Sequence, residues 1–293
     1  MLRVALAVTV VVLGLAALRY LPGSPLAASA APAWVPPPGG ASAPASNPGD
    51  APTPTPTPTE ELEPLSIGPA KVSVQSDGWV AWAWQDLRTG KIYGSKNMGS
   101  TSTTASLVKA WIGADYLRRA AEQGRTPNAT QMRMVSIMIR DSDNEAASTL
   151  FDAVGGRRST ERMIEFCGMT DSKASSNWSI TRLSPRDITR LGACLLDGRA
   201  AGPKWTKYLI SEMRQVRGVG DFGIRKAFPA KESKTIAIKN GWVTRDNLGE
   251  WHVNCLAIGD GWTMGVMTRY PTDRDYTYGA ELCKNVAAQL RTK

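Results

Sequence analysis

Trp251-His252-Val253-Asn254-Cys255-Leu256-Ala257-Ile258-Gly259-Asp260-Gly261-Trp262-Thr263-Met264-Gly265-Val266-Met267-Thr268 is the stretch that decides the fold. Bulky and β-branched residues fill its two halves, Trp251 to Ile258 and Trp262 to Thr268, while Gly259-Asp260-Gly261 between them are turn formers. Two strands joined by so tight a turn can pair only antiparallel. Upstream, Thr235 to Lys239 reads as a further strand. Downstream, Leu282, Cys283, Val286, Ala287 and Leu290 fall at helical spacing, so a helix from about Tyr278 to Leu290 closes the chain over one face of the sheet.

Trp79 to Gln85 alternates tryptophan with small apolar residues, turns at Arg88-Thr89-Gly90 and resumes from Lys91 to Ser95, which is a hairpin. Between this hairpin and the later strands, Thr104 to Leu196 is mostly helical in period. Ser142-Asp143-Asn144-Glu145 reads as a capping box with Ser142 as N-cap, opening a helix closed by Gly155-Gly156. Ser159 opens another that ends at Gly168, and Ser184-Pro185-Arg186-Asp187 supplies an N-cap, a first-turn proline and an early acid. The expected fold is α/β: an antiparallel sheet covered by helices, with an all-helical subdomain inserted between strands 2 and 3.

Composition narrows the chemistry. The 293 residues carry Lys+Arg 35 against Asp+Glu 26, a net charge of +9, but a single His. A catalytic zinc usually takes two or three imidazoles, and a Ser/His/Asp triad needs one in a site loop. His252 sits mid-strand and reads as structural or solvent-facing, so neither a metal nor another cofactor is expected. The basic residues are scattered, without the clusters or motifs that track phosphates, and no nucleic-acid partner is expected.

Residues 1–30 read as a signal peptide or an uncleaved N-terminal anchor. Met1-Leu2-Arg3 precedes the apolar run Val4 to Leu18, shorter than the about 20 residues of a spanning helix, and Ala28-Ser29-Ala30 offers a cleavage site. Arg19 and Tyr20 directly after the run leave membrane anchoring through residues 4–18 open, and no Cys nearby supports a lipid anchor. Residues 31–66 are a Pro/Thr/Ala-rich linker, including the Pro-Thr repeat from Pro52 to Thr59, too poor in large apolar side chains to offset ordering entropy. Residues 67–293 are one domain, expected as a monomer outside the cell or in its envelope. In an exported chain its Cys167, Cys194, Cys255 and Cys283 favour disulfides over metal. Three pairings are open. Cys167 and Cys194 both end helical stretches of the middle region, whereas Cys255 is in a strand and Cys283 on the last helix, which favours Cys167 with Cys194 and Cys255 with Cys283.

Ser106-Leu107-Val108-Lys109 opens a helix and sets a hydroxyl and an amine three residues apart on one face. Alone, a Ser there is usually a cap. Ser142-Asp143-Asn144 at a helix junction and Lys239-Asn240-Gly241 at a strand end before Trp242 change the weight, because the three occur in order on three different elements. With no usable histidine, Lys109 is the nearest base for Ser106. Its ordinary pKa of about 10.4 must fall for it to be neutral near pH 7, which burial and the field of Lys239 would bring about.

In these motifs the chain resembles the penicillin-recognising serine hydrolases, and most closely their class A β-lactamase-like branch, from about residue 75 onward. The neighbouring strings Thr103-Thr104-Ala105 before Ser106 and Met138-Ile139-Arg140-Asp141 before Ser142 match as well. The resemblance implies a β-lactamase/transpeptidase-like fold and no cofactor. It implies Ser106 as acylated nucleophile, Lys109 as base, Ser142 as proton relay, and Asn144, Lys239, Asn240, Gly241 and Trp242 as substrate-binding positions. The oxyanion would lie between the N–H groups of Ser106 and Trp242. A β-lactam or a D-alanyl-peptide-like amide is the implied substrate, with an unrelated ester or amide, a pure peptide-binding module and a β-lactamase using another deacylation base as alternatives. Three departures bear on this. Asn240 stands where a hydroxyl usually helps to hold a substrate carboxylate, Trp242 stands where small residues are usual, and the loop from Gly168 to Ser184 has Asp171 as its only acid, where class A enzymes carry a water-activating glutamate.

Overall fold

The computed structural model describes residues 63–292. The signal or anchor assignment, and the linker up to residue 62, lie outside the described residues. Leu65 and Ser66, which composition assigns to the linker, already belong to the domain: the Leu65 carbonyl accepts from Thr292 Oγ1 at 2.7 Å and Ser66 Oγ from Trp262 Nε1 at 3.0 Å.

The chain begins with the hairpin β1 (Trp79–Asp86) and β2 (Ile92–Gly94), then a two-residue strand β3 (Ser102–Thr103) and a 3-10 turn, Ala105–Val108. The helical part follows: α1 (Lys109–Glu122), α2 (Ala129–Arg140), α3 (Asn144–Ala153), α4 (Arg157–Phe166), the short β4 (Arg182–Leu183), α5 (Pro185–Leu196), α6 (Thr206–Arg214) and α7 (Ala230–Ser233). β5 (Ala237–Arg245), β6 (Glu250–Gly259), β7 (Trp262–Pro271) and α8 (Tyr276–Leu290) complete it. The main sheet is antiparallel in the order β2-β1-β7-β6-β5, and β3 pairs with β4 in a second, small sheet.

Both faces of the main sheet are covered, which is why β6 and β7 are buried nearly throughout instead of alternating. On one face α5 lies so close that a Cβ on Gly192 would stand 1.9 Å from Thr263 Oγ1. On the other face Cys255 of β6 is bonded to Cys283 of α8, while Cys167 at the end of α4 is bonded to Cys194 of α5. Each bridge closes a loop of a length for which loss of denatured-chain entropy gives about 2–4 kcal/mol. Cys255→Ala with Cys283→Ala should therefore lower unfolding free energy by about 2–4 kcal/mol in urea. An unchanged midpoint would mean that packing alone docks α8.

Several local expectations are corrected. The N-cap of α3 is Asp143, whose side chain accepts from the Ala146 N–H at 2.7 Å; Ser142 lies outside the helix. α4 starts at Arg157 after Gly156, and Ser159 is inside it, buried, donating to Asp115 Oδ2 at 2.7 Å. β5 does not end at the Lys239 motif but runs through it. α1 begins only at Lys109, because Ser106 sits in the 3-10 turn. His252 is buried, with Nδ1 at 2.7 Å from Thr103 Oγ1 and Nε2 at 3.2 Å from Glu250. Burial pushes its pKa down to about 4, so it is a neutral tie between β6 and β3.

Candidate active site

The Ala105–Val108 turn explains why Ser106 and Lys109 are neighbours. In a 3-10 turn the side chains at i and i+3 eclipse, so the hydroxyl and the amine rise from the same side. Entering the turn forces Ala105 to φ +46°, and Ser142 has φ +61°; these are the two non-glycine residues with positive φ among the described residues. Each costs roughly 1–3 kcal/mol. Both line one cavity of about 190 Å³, together with Ser106, Asp141, Asn144 and Trp178. Strain is thus concentrated around Ser106.

At Ser142 the chain leaves α2 and turns into α3. Because Asp143 takes over the capping, the Ser142 hydroxyl is free for other partners. Lys109 Nζ, fully buried, donates to the Ser142 carbonyl and to Asn144 Oδ1, both at 2.6 Å, and lies 3.5 Å from Ser142 Oγ. Lys239 Nζ, also fully buried, donates to Ser142 Oγ at 3.1 Å and to the Asn240 carbonyl at 3.0 Å. Two amines from different elements therefore meet at one serine.

Burial pushes the Lys109 pKa down to about 7, against a smaller opposing pull from the Asp143 carboxylate. Lys239 is held well below its ordinary value, first by burial and then by the charge of Lys109. This refines the sequence expectation. Burial is the first cause of the lowered value at both lysines.

β5 is an edge strand that passes alongside the Ala105–Val108 turn. A Cβ on Gly241 would stand 2.2 Å from the Thr104 carbonyl oxygen and 2.8 Å from the Ser106 nitrogen, so only glycine admits this approach. Asn240, expected among the substrate-binding groups, is corrected. It is 1% exposed, and its Nδ2 donates to the carbonyls of Gly220 at 3.0 Å and Phe222 at 2.8 Å. Strand alternation turns it away from Lys239 and Gly241, and it holds the 220–222 loop instead. Trp242 lines the cavity and packs edge-on against Phe222, ring centroids 5.5 Å apart.

The loop between Gly168 and Ser184 brings Trp178 and Ser179 to the cavity. Its one acid is spent elsewhere: Asp171 accepts from Ser184 Oγ at 2.7 Å and from Arg186 Nη2 at 2.7 Å. The carboxylate that does line the cavity, Asp141, is in an ion pair with Arg217 at 2.6 Å, which holds its pKa below the usual range. Sequence reasoning missed that pair, since nothing local links residues so far apart in the chain.

Comparison with known proteins gives the family and the fold. A model of the beta-lactamase enzyme family matches residues 123–292, more than half of the chain. LppW, a protein named as a lipoprotein, from Mycobacterium tuberculosis and from Mycobacterium bovis, is 25% identical over 180 residues. That match covers 59% of this chain, which spans 57% of the length of those relatives. A class A β-lactamase from Bacteroides cellulosilyticus has the same fold with a TM-score of 0.61 at 14% identity, over 73% of this chain and 91% of that one. A β-lactamase from Chitinophaga pinensis gives 0.59 at 18% identity, over 72% and 92%. On the family match and the fold together, the chain belongs to the beta-lactamase enzyme family.

Proposed function

We propose that this protein is an exported serine acyl hydrolase of the β-lactamase and penicillin-binding type that works through an acyl-Ser106 intermediate on a β-lactam or a D-alanyl-peptide-like amide. The observation that carries the reading is the meeting of two buried lysines at Ser142, on the cavity that Ser106 lines. Neutral Lys109 takes the Ser106 proton as Oγ attacks the carbonyl carbon. The oxyanion is received by the N–H groups of Ser106 and Trp242, the latter on an edge strand whose outward N–H groups have no sheet partner. Ser142, held by Lys239, passes a proton to the leaving nitrogen as the C–N bond breaks and regains one from protonated Lys109. Asn144, whose Oδ1 accepts from Lys109, has its amide hydrogens left for a substrate carbonyl.

Hydrolysis of the ester is slow in this reading, because neither Asp171 nor Asp141 is a free base. A missing general base costs about 10²–10⁴ in rate. Two disulfides support a location outside the cytosol. Incubation with benzylpenicillin and with p-nitrophenyl acetate, followed by intact-mass and peptide analysis, should give an adduct on the Ser106 peptide that outlasts the mixing time. No adduct from either donor would end the proposal.

A further inference from the structure

The indole of Trp178 lies over the Lys109 amine, 4.7 Å from Nζ to the ring centroid. With its other sides taken by the Ser142 carbonyl and Asn144 Oδ1, the amine has no exposure to solvent. Trp178 also stands where two cavities meet. It lines the 190 Å³ cavity of Ser106 and a neighbouring one of about 570 Å³ along α3, which share Asn144, Ser179 and Val243 as well. The indole N–H reaches Ser148 Oγ at 3.4 Å, so an apolar π face is what the lysine sees. Such a face can neither accept a proton from water nor hold water in line with an ester.

We propose that Trp178 is a positioning residue that keeps water from Lys109 and from the acyl-Ser106 ester, and so sets the lifetime of the covalent intermediate; this rests on the acyl-Ser106 reading above. Deacylation requires a water oxygen to attack the acyl carbonyl while its proton passes to Lys109. The ester C–O bond then breaks, and Lys109 returns the proton to Ser106 Oγ. Each atom of that sequence can be supplied by this chain and water, but with the Ser142 carbonyl and Asn144 Oδ1 on its other sides the amine meets the cavity under the ring, which leaves a water no place beside it. Removing the ring joins the two cavities and wets the amine. Lys109 then titrates closer to an ordinary lysine, since burial is the main cause of its lowered value.

The test compares wild type, Trp178→Ala and Trp178→Phe, each loaded with benzylpenicillin and followed by intact mass after removal of excess donor. The measurement is made for each protein on the plateau above its own acylation midpoint, where Lys109 is neutral in the variants as well as in wild type. Trp178→Ala should lose its adduct about tenfold faster than wild type, a fraction of what a placed base would give. Its acylation pH midpoint should also move upward. Trp178→Phe retains a π face and most of the volume and should follow wild type in both respects, which a general loss of folding would not reproduce. Equal adduct lifetimes in all three proteins would overturn this inference and leave the acyl-Ser106 reading standing. No adduct on any of them would overturn that reading, and this inference with it.

Discussion

Replacing Lys109 by methionine should slow acylation of Ser106 by about 10²–10⁴-fold, the usual contribution of a positioned base. Methionine is close in length and apolar, and the site is fully buried, so the change removes the proton acceptor without opening a large void. It leaves the Ser142 carbonyl and Asn144 Oδ1 without their donor, a cost of roughly 1–3 kcal/mol, partly offset because a desolvated amine is no longer buried. The pH dependence gives a second readout. Only the neutral amine can take the Ser106 proton, and burial sets the Lys109 pKa at about 7. Wild-type acylation should therefore rise with pH through about 7 and level off above it, and in Lys109→Met that rise should vanish. Stopped-flow measurement of the burst with a chromogenic cephalosporin follows both. A variant that acylates at the wild-type rate with the same profile would remove Lys109 from the mechanism.

The architecture was legible wherever a segment was long enough to show a period. β1, β6, β7 and α8 carry eight or more residues each, and their patterns gave the antiparallel sheet and the closing helix. β3 and β4, two residues each, have no period to read, and their pairing depends on contacts distant in sequence. Ser142 shows a different limit. Ser142 with Glu145 satisfies the capping-box pattern, and Asp143 is an equally good cap one residue later; what decides is that Ser142 turns to φ +61° and its hydroxyl oxygen accepts from Lys239. The pattern was right about a helix start and wrong about which residue starts it. Asn240 was read from its motif position, but pleat direction decides where a strand residue points. The clamp between Asp141 and Arg217 and the placement of Trp178 over Lys109 both arise from loop packing, for which a single sequence carries no signal.

Gly241→Ala should reduce acylation by about 10²-fold or more, the scale of loss from roughly 1 Å of misplacement at a reacting centre. The added Cβ would meet three backbone atoms: the Thr104 oxygen at 2.2 Å, the Leu107 nitrogen at 2.6 Å and the Ser106 nitrogen at 2.8 Å. None of these belongs to a flexible side chain that can swing aside. Relief has to come from moving β5 or the turn, and the turn is already strained at Ala105 while β5 is held along its length by pairing with β6. Overpacking of this kind costs about 1–3 kcal/mol, a loss readable in a urea melt. The rate should suffer more than the stability, because in the proposed mechanism the displaced segment sets Ser106 against the Trp242 N–H, while Lys239, two residues earlier, donates to Ser142. Gly249→Ala is the comparison: that glycine, unlike Gly241, has a positive φ, and a Cβ there meets nothing within 4 Å. It should lose stability through backbone strain and retain its acylation rate. If Gly241→Ala acylated like Gly249→Ala, the close approach of β5 to the Ser106 turn would have no part in the chemistry.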